Sequence, residues 1–115
     1  MATNTTPASL LRVFIGESDE YHGRPLHEAI VLKAREMGLA GATVLRGPMG
    51  YGRSSRLHTS KILRLSEDLP LVIELVDEEA KIEALIAALH PMLGSALVTL
   101  ETVRVVRYGH DGGVD

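Results

Sequence analysis

The chain contains no cysteine, which removes disulfide staples, zinc thiolate sites and cysteine nucleophiles together. Aromatic residues are 3% of it, so its core must be built from Leu, Ile, Val and Ala. No apolar run approaches the roughly 20 residues needed to span a bilayer. Met1 to Ser9 is uncharged, with no basic stretch ahead of an apolar one, so no secretory leader is expected and the cytoplasm is the expected compartment. Acid is missing locally: from Gly41 to Ser66 there is no Asp or Glu, while Arg46, Arg53, Arg56, Lys61 and Arg64 all fall there. In a chain of net charge −3, one basic segment points to a local anion site rather than to a broad nucleic-acid face.

What is present is an ordinary globular composition, 45% hydrophobic and 23% charged over 115 residues, enough for one domain. Leu10 to Gly16 is a short apolar run that reads as a strand. Pro25 opens a helix carried by Leu26, Ile30, Ala34 and Met37, with Gly38 as its left-handed stop. Ala42 to Arg46 is a second strand, broken by Gly47-Pro48, and Gly50 to Ser60 reads as an exposed loop. Ile62, Leu63 and Leu65 begin a short extended piece. Leu69 to Val76 has the continuous apolar character of a strand buried on both faces. Asp77 is the expected N-cap of a second helix with the stripe Ile82, Leu85, Ile86 and Leu89, ended by His90-Pro91. Leu97 to Tyr108 is the last strand, with a bulge expected between Leu100 and Val103.

This order predicts an α+β, ferredoxin-like βαββαβ domain: a four-stranded antiparallel sheet with two helices on one face. The domain is expected over residues 10–110, after a disordered segment 1–9 and before a flexible tail 111–115. The uncovered sheet face in so apolar a chain predicts a homo-oligomer.

Gly47-Pro48-Met49-Gly50-Tyr51-Gly52-Arg53-Ser54 nearly spells a phosphate-binding loop, but no helical pattern follows it, so no row of helix-start N–H groups would face a phosphate. A weaker reading survives. Gly50 and Gly52 let backbone approach a ligand closely, and Arg53 and Arg56 can grip a phosphate or carboxylate with paired N–H groups. Tyr51, Ser54 and His58 lie in the same stretch and complete the candidate contacts; His58 adds an imidazole whose charge can change near neutral pH. The competing reading is a solvated hairpin tip. His22, His27, His58, His90 and His110 show no metal-ligand spacing, Ser54 and Ser55 have no base and carboxylate beside them, and no residue pair makes a catalytic site. No enzyme activity, metal or tightly held cofactor is expected.

Gly38-Leu39-Ala40-Gly41-Ala42-Thr43-Val44, Gly50-Tyr51-Gly52-Arg53 and Val105-Val106-Arg107-Tyr108-Gly109 together resemble the PII signalling proteins. His22-Gly23-Arg24-Pro25-Leu26, Ala42-Thr43-Val44-Leu45-Arg46-Gly47, Asp68-Leu69-Pro70 and Leu97-Val98-Thr99-Leu100-Glu101 resemble more closely the PII-like family called domain of unknown function 190. The resemblance implies a homotrimer with ligand clefts between subunits, and a flexible loop after the second strand that docks on a regulated partner such as a membrane transporter. It places Thr43 near an adenine, Gly50, Gly52 and Arg53 at the loop base, and Arg107 on a phosphate. The chain departs from PII proper in carrying one extra residue between Thr43 and Gly50. It has only Gly94-Ser95 where PII has a Gly- and Lys-rich phosphate loop, and Val105 where PII has a second arginine. These departures weigh against ATP and leave a smaller or less charged nucleotide.

The expected function is therefore a non-enzymatic sensor of a small anionic metabolite, with an adenine nucleotide as the foremost effector. The alternative is a metal-binding trimer resembling the CutA relatives of PII. RNA binding on the sheet face needs stacking aromatics on central strands, for which Phe14 alone is placed.

Overall fold

The computed structural model describes residues 4–51, 58–59 and 68–109. The central strand β1 (Thr6–Gly16) alternates cleanly. Leu11, Val13 and Ile15 are buried while Arg12 and Phe14 between them are half-buried, the two-residue period of a strand with one dry face. A two-residue hairpin, β2 (Glu20–Tyr21) with β3 (Arg24–Pro25), leads into α1 (Leu26–Glu36). Strand β4 (Thr43–Arg46) follows, then a ribbon of β5 (Met49–Gly50) with β6 (His58–Thr59), β7 (Pro70–Asp77), α2 (Glu79–Leu93) and β8 (Leu97–Val105).

The main sheet runs β4-β7-β1-β8, with every neighbouring pair antiparallel. Each helix joins two strands separated by a third, so this is the split βαβ arrangement, repeated once. Both helices lie on one face. Leu26, Ile30 and Ala34 of α1 and Ile82, Leu85 and Leu89 of α2 close on Leu11, Val13, Ile15, Leu71, Ile73 and Leu75. At about 1.5–3 kcal/mol for each fully buried large aliphatic side chain, this layer is the main source of stability. The expected α+β, ferredoxin-like fold is what the chain adopts.

Several boundaries differ from those the sequence predicts. β1 begins at Thr6, so the segment expected to be disordered over 1–9 supplies Thr6 to Ser9, which pair with Thr102 to Val105. β8 ends at Val105, and its register against β1 is unbroken from Thr6↔Val105 to Phe14↔Leu97, so the expected bulge is absent. The slipped apolar pattern there has another cause: β8 is an edge strand that buries little on either side. β7 alternates buried and half-buried residues instead of being dry on both faces, because helices cover one face only.

Helix α2 passes through His90-Pro91 and stops at Gly94, whose φ is +55°. Only Met92 and Leu93 follow Pro91 in the helix, so the lost N–H costs one bond, to the Ala87 carbonyl, and little helix remains beyond the break. Asp77 is not the N-cap of α2; that place is held by Glu78, with no side-chain cap. Asp77 instead ends β7 with its carboxylate 4% exposed.

Candidate functional site

The site begins where α1 ends. Gly38 takes φ +81°, its N–H donates to Arg35 O at 3.1 Å, and the Leu39 N–H reaches back to Ala34 O at 3.0 Å. This paired closure is a Schellman turn, and it needs a residue without a Cβ at its left-handed position. The chain then runs beneath Asp77, whose Oδ2 accepts the Ala40 N–H at 2.8 Å while Oδ1 accepts the Glu78 N–H at 2.7 Å. One buried carboxylate thus ties the entry of β4 to the β7–α2 junction. Both of its oxygens are occupied by N–H donors, which compensates its removal from water.

From that anchor, Gly41 and Ala42 lead into Thr43, opposite Glu74 in the ladder. The last residue of β8, Val105, and residues 106–108 beyond it form the facing wall. Together these segments, with Glu74 and Val76, line an open cleft of about 500 Å³, within the usual range of volume for small-ligand sites. Its floor is small and apolar, and its polar groups are the Thr43 hydroxyl, the Glu74 carboxylate, the Arg107 guanidinium and the Tyr108 phenol. Partial burial, reinforced by the negative charges of Asp77 and Glu78, pushes the Tyr108 phenol above its ordinary range. It therefore stays protonated, and a donor, at working pH.

Glu74 does not stand alone. Arg12 Nε donates to its Oε2 at 2.8 Å, and Arg12 Nη1 to Glu101 Oε1 at 2.8 Å. The hydrogen bond to Glu74, partly opposed by desolvation and aided by Glu101, raises the already high guanidinium pKa. The Arg12 charge is permanent. By strand alternation this trio shares the sheet's outer face with Leu10, Phe14, Leu45, Val72 and Leu97. Leu45 and Leu97 are 48% and 60% exposed, leaving an apolar face with charge at its centre.

A second construction stands at the opposite end of β7. The Gly47 N–H donates to Pro70 O at 2.8 Å and the Glu17 N–H to Leu69 O at 2.8 Å. Arg46 forms an ion pair with Glu17, and the Ser18 N–H reaches Asp68 Oδ1 at 3.0 Å. A Cβ at Gly47 or Gly50 would stand 3.1 or 3.0 Å from Pro70 Cγ. The two ends of the segment between β4 and β7 therefore leave from one braced base.

The sequence-derived candidates divide between these places. Thr43 and Arg107 line the cleft. Gly50 pairs with His58 in the β5–β6 ribbon, and Tyr51 follows it, exposed, at the loop base. Four residue steps of β7, from Pro70 at that base to Glu74 in the cleft, put about 13 Å between them at 3.3 Å per residue, so one protomer does not bring the two groups together. Gly52, Arg53, Ser54 and Arg56 lie outside the described residues, as do the His58 side chain, the extended piece expected at Ile62 to Leu65 and the tail 111–115. Sequence reasoning missed Ala40 to Ala42, Val76 and Tyr108 as cleft walls, and treated Glu74 and Asp77 only as strand and cap residues. Ala40 to Ala42 and Tyr108 fall in the segments that resemble PII, but neither their chemistry nor their spacing marks them, or Val76, as walls of a cleft. Among the described residues no cluster of three or more His, Asp or Glu stands ready for a metal, and no helix is long and apolar enough to cross a membrane.

The fold defined by this sheet and its two helices is that of PII-like proteins. CPII from Thiomonas intermedia K12, a nitrogen regulatory PII-like protein bound to ADP, AMP and bicarbonate, superposes with a TM-score of 0.71 at 17% identity, over 92% of this chain and 94% of that one. CutA1 of Ehrlichia chaffeensis, a divalent ion tolerance protein, is more distant, with a TM-score of 0.50 at 12% identity over 84% and 78%. Residues 8–105 match the model of the family DUF190, described as "Uncharacterized ACR", and the chain belongs to that family. A UPF0166 protein of Aquifex aeolicus (strain VF5) is 37% identical over 97 residues, which is 84% of this chain and 91% of that protein.

Proposed function

We propose that the chain is a non-enzymatic, PII-like regulator that binds a small anionic ligand, foremost an adenine nucleotide, in the cleft between Thr43 and Arg107. The observation that carries this reading is the convergence of three separate segments on one cleft whose polar groups are few and of mixed sign. Arg107 supplies paired donors for a phosphate or carboxylate. Thr43 and Glu74 offer a hydroxyl and an acceptor on the adjacent strands. With Glu74 and Asp77 close by, the cleft suits a monophosphate better than a triphosphate. The ADP and AMP of CPII support the same ligand class.

The apolar outer face is then the surface on which copies assemble, as a homotrimer. A neighbour seated there would bring its own loop base toward this cleft, uniting Thr43 and Arg107 with Gly50, Gly52 and Arg53 across the junction. A ligand held at that junction favours one arrangement of the segment after β4 through its differential contacts. A regulated partner, such as a membrane transporter, reads that arrangement in the cytoplasm.

Calorimetric titration of AMP, ADP and ATP tests the reading. AMP or ADP is expected to bind and to return chemically unchanged after long incubation. Arg107→Ala is expected to weaken binding by about tenfold or more, the loss of a charge-assisted bidentate contact. A panel that binds the variant as it binds the parent, or nucleotide turnover, overturns it.

A further inference from the structure

We propose that the chain carries a second small-molecule site, unrelated to the cleft, for a flat aromatic monocarboxylate at the β2–β3 hairpin. The hairpin turns through His22 and Gly23 with φ of +52° and +78°, the primed turn that suits a two-residue loop. This turn lays the His22 ring on the Tyr21 ring, centroids 4.0 Å apart and planes 13° from parallel. Beside the stack, the face of α1 that flanks its core stripe presents Ala29, Leu32, Lys33 and Glu36, at the i, i+3, i+4, i+7 spacing of one helix face. Met92, near the end of α2, meets them, and the groups enclose about 320 Å³ that shares no residue with the Thr43–Arg107 cleft.

Three features define what this pocket takes. Among its charged neighbours it exposes apolar surface: Leu32 is 45% exposed there, and Met92 offers a thioether that suits a ring. Its rim carries Arg24 and Lys33 against a single carboxylate, Glu36, which lies 3.4 Å from Lys33. Arg24 has no ion pair among the described residues. Two cations against one anion leave a net +1, which matches a monoanion and rejects a polyphosphate through Glu36. The stacked rings favour a planar body over a branched one. A planar, singly charged acid satisfies all three.

Titration of 1-naphthoate into the full-length, 15N-labelled protein, followed by amide chemical shifts, tests this. Saturable shifts are expected at Tyr21, His22, Leu32, Lys33 and Met92, with Thr43 and Arg107 unmoved. Cyclohexanecarboxylate, 1-naphthalenemethanol and AMP are expected to leave those amides unshifted or to bind at least about tenfold more weakly, each lacking planarity, charge or the single negative charge. Arg24→Ala and, independently, Leu32→Glu should each weaken naphthoate at least about tenfold while the remaining spectrum overlays the parent's. The proposal is overturned if naphthoate causes no saturable shift, if its shifts fall in the cleft, if all four probes act alike, or if both variants bind as the parent does. Failure of nucleotide binding at the cleft leaves this result untouched, and the converse holds equally.

Discussion

Asp77 holds two backbone N–H groups from different elements with one carboxylate that is almost wholly buried. Replacing it by Ala strands both donors, and Asp77→Ala should lower stability by about 2–3 kcal/mol in urea denaturation. Asp77→Asn keeps one acceptor oxygen and should lose about half as much. Gly16 is as constrained from another direction: a Cβ there would lie 2.3 Å from Asp68 Oδ1, the oxygen that accepts the Ser18 N–H. Gly16→Ala must therefore displace that contact, at about 1–2 kcal/mol in the same assay. Tyr108 gives a pH signature. Burial and the nearby Asp77 and Glu78 hold its folded phenol pKa above the ordinary tyrosine value, so above about pH 10 the unfolded chain releases the proton first and stability falls as pH rises toward the folded value. Tyr108→Phe should remove that alkaline component from thermal melts while leaving the neutral range little changed.

Helix α2 shows how two opposing effects are weighed within one element. Pro91 stands inside it, where the missing N–H leaves the carbonyl of Ala87 without its helical partner. Restoring an N–H recovers part of a helix-interior penalty of about 3 kcal/mol, whereas removing proline loosens the unfolded chain by about 0.4–1 kcal/mol. The first outweighs the second, and Pro91→Ala is expected to raise Tm at fixed protein concentration. The same helix marks where the sequence was legible. Its buried stripe of Ile82, Leu85 and Leu89 repeats at helical spacing, and so does that of Leu26, Ile30 and Ala34 in α1; both elements and their core faces follow from that period. His90-Pro91 carried no such signal, because whether a proline ends a helix or sits in its last turn depends on what the following residues bury. β8 misled for a related reason: an edge strand has weak alternation, and weak alternation resembles a bulge.

At the scale of the whole molecule, the outer sheet face is the unfinished surface. It displays Leu45 and Leu97 in the open, with Arg12, Glu74 and Glu101 bonded to one another across its middle. If copies assemble on that face as the proposed trimer, Leu97→Glu, set there and away from the cleft, should leave the circular dichroism spectrum intact and shift native mass spectra from three copies to one. Three copies that persist in the variant would place assembly elsewhere. The fold was readable from element order alone, since strand, helix, strand, strand, helix, strand leaves few topologies. The cleft was not, for its walls come from residues 40–43, 74, 76 and 105–108, which lie far apart in the chain and are mostly apolar or small. Only Thr43 and Arg107 were foreseen, and those through the family pattern rather than through spacing.

The bond from Gly47 to Pro70 has a consequence for how such a chain can diversify. The chain leaves the sheet at Gly47 and rejoins it at Pro70, and of the described residues between them only Leu69 enters the buried core. For a flexible excursion, doubling the length costs only about 0.6 kcal/mol in closure entropy. Changes of length between Gly50 and Asp68 should therefore leave the scaffold's stability nearly unchanged, so the frame tolerates variation in the segment it carries.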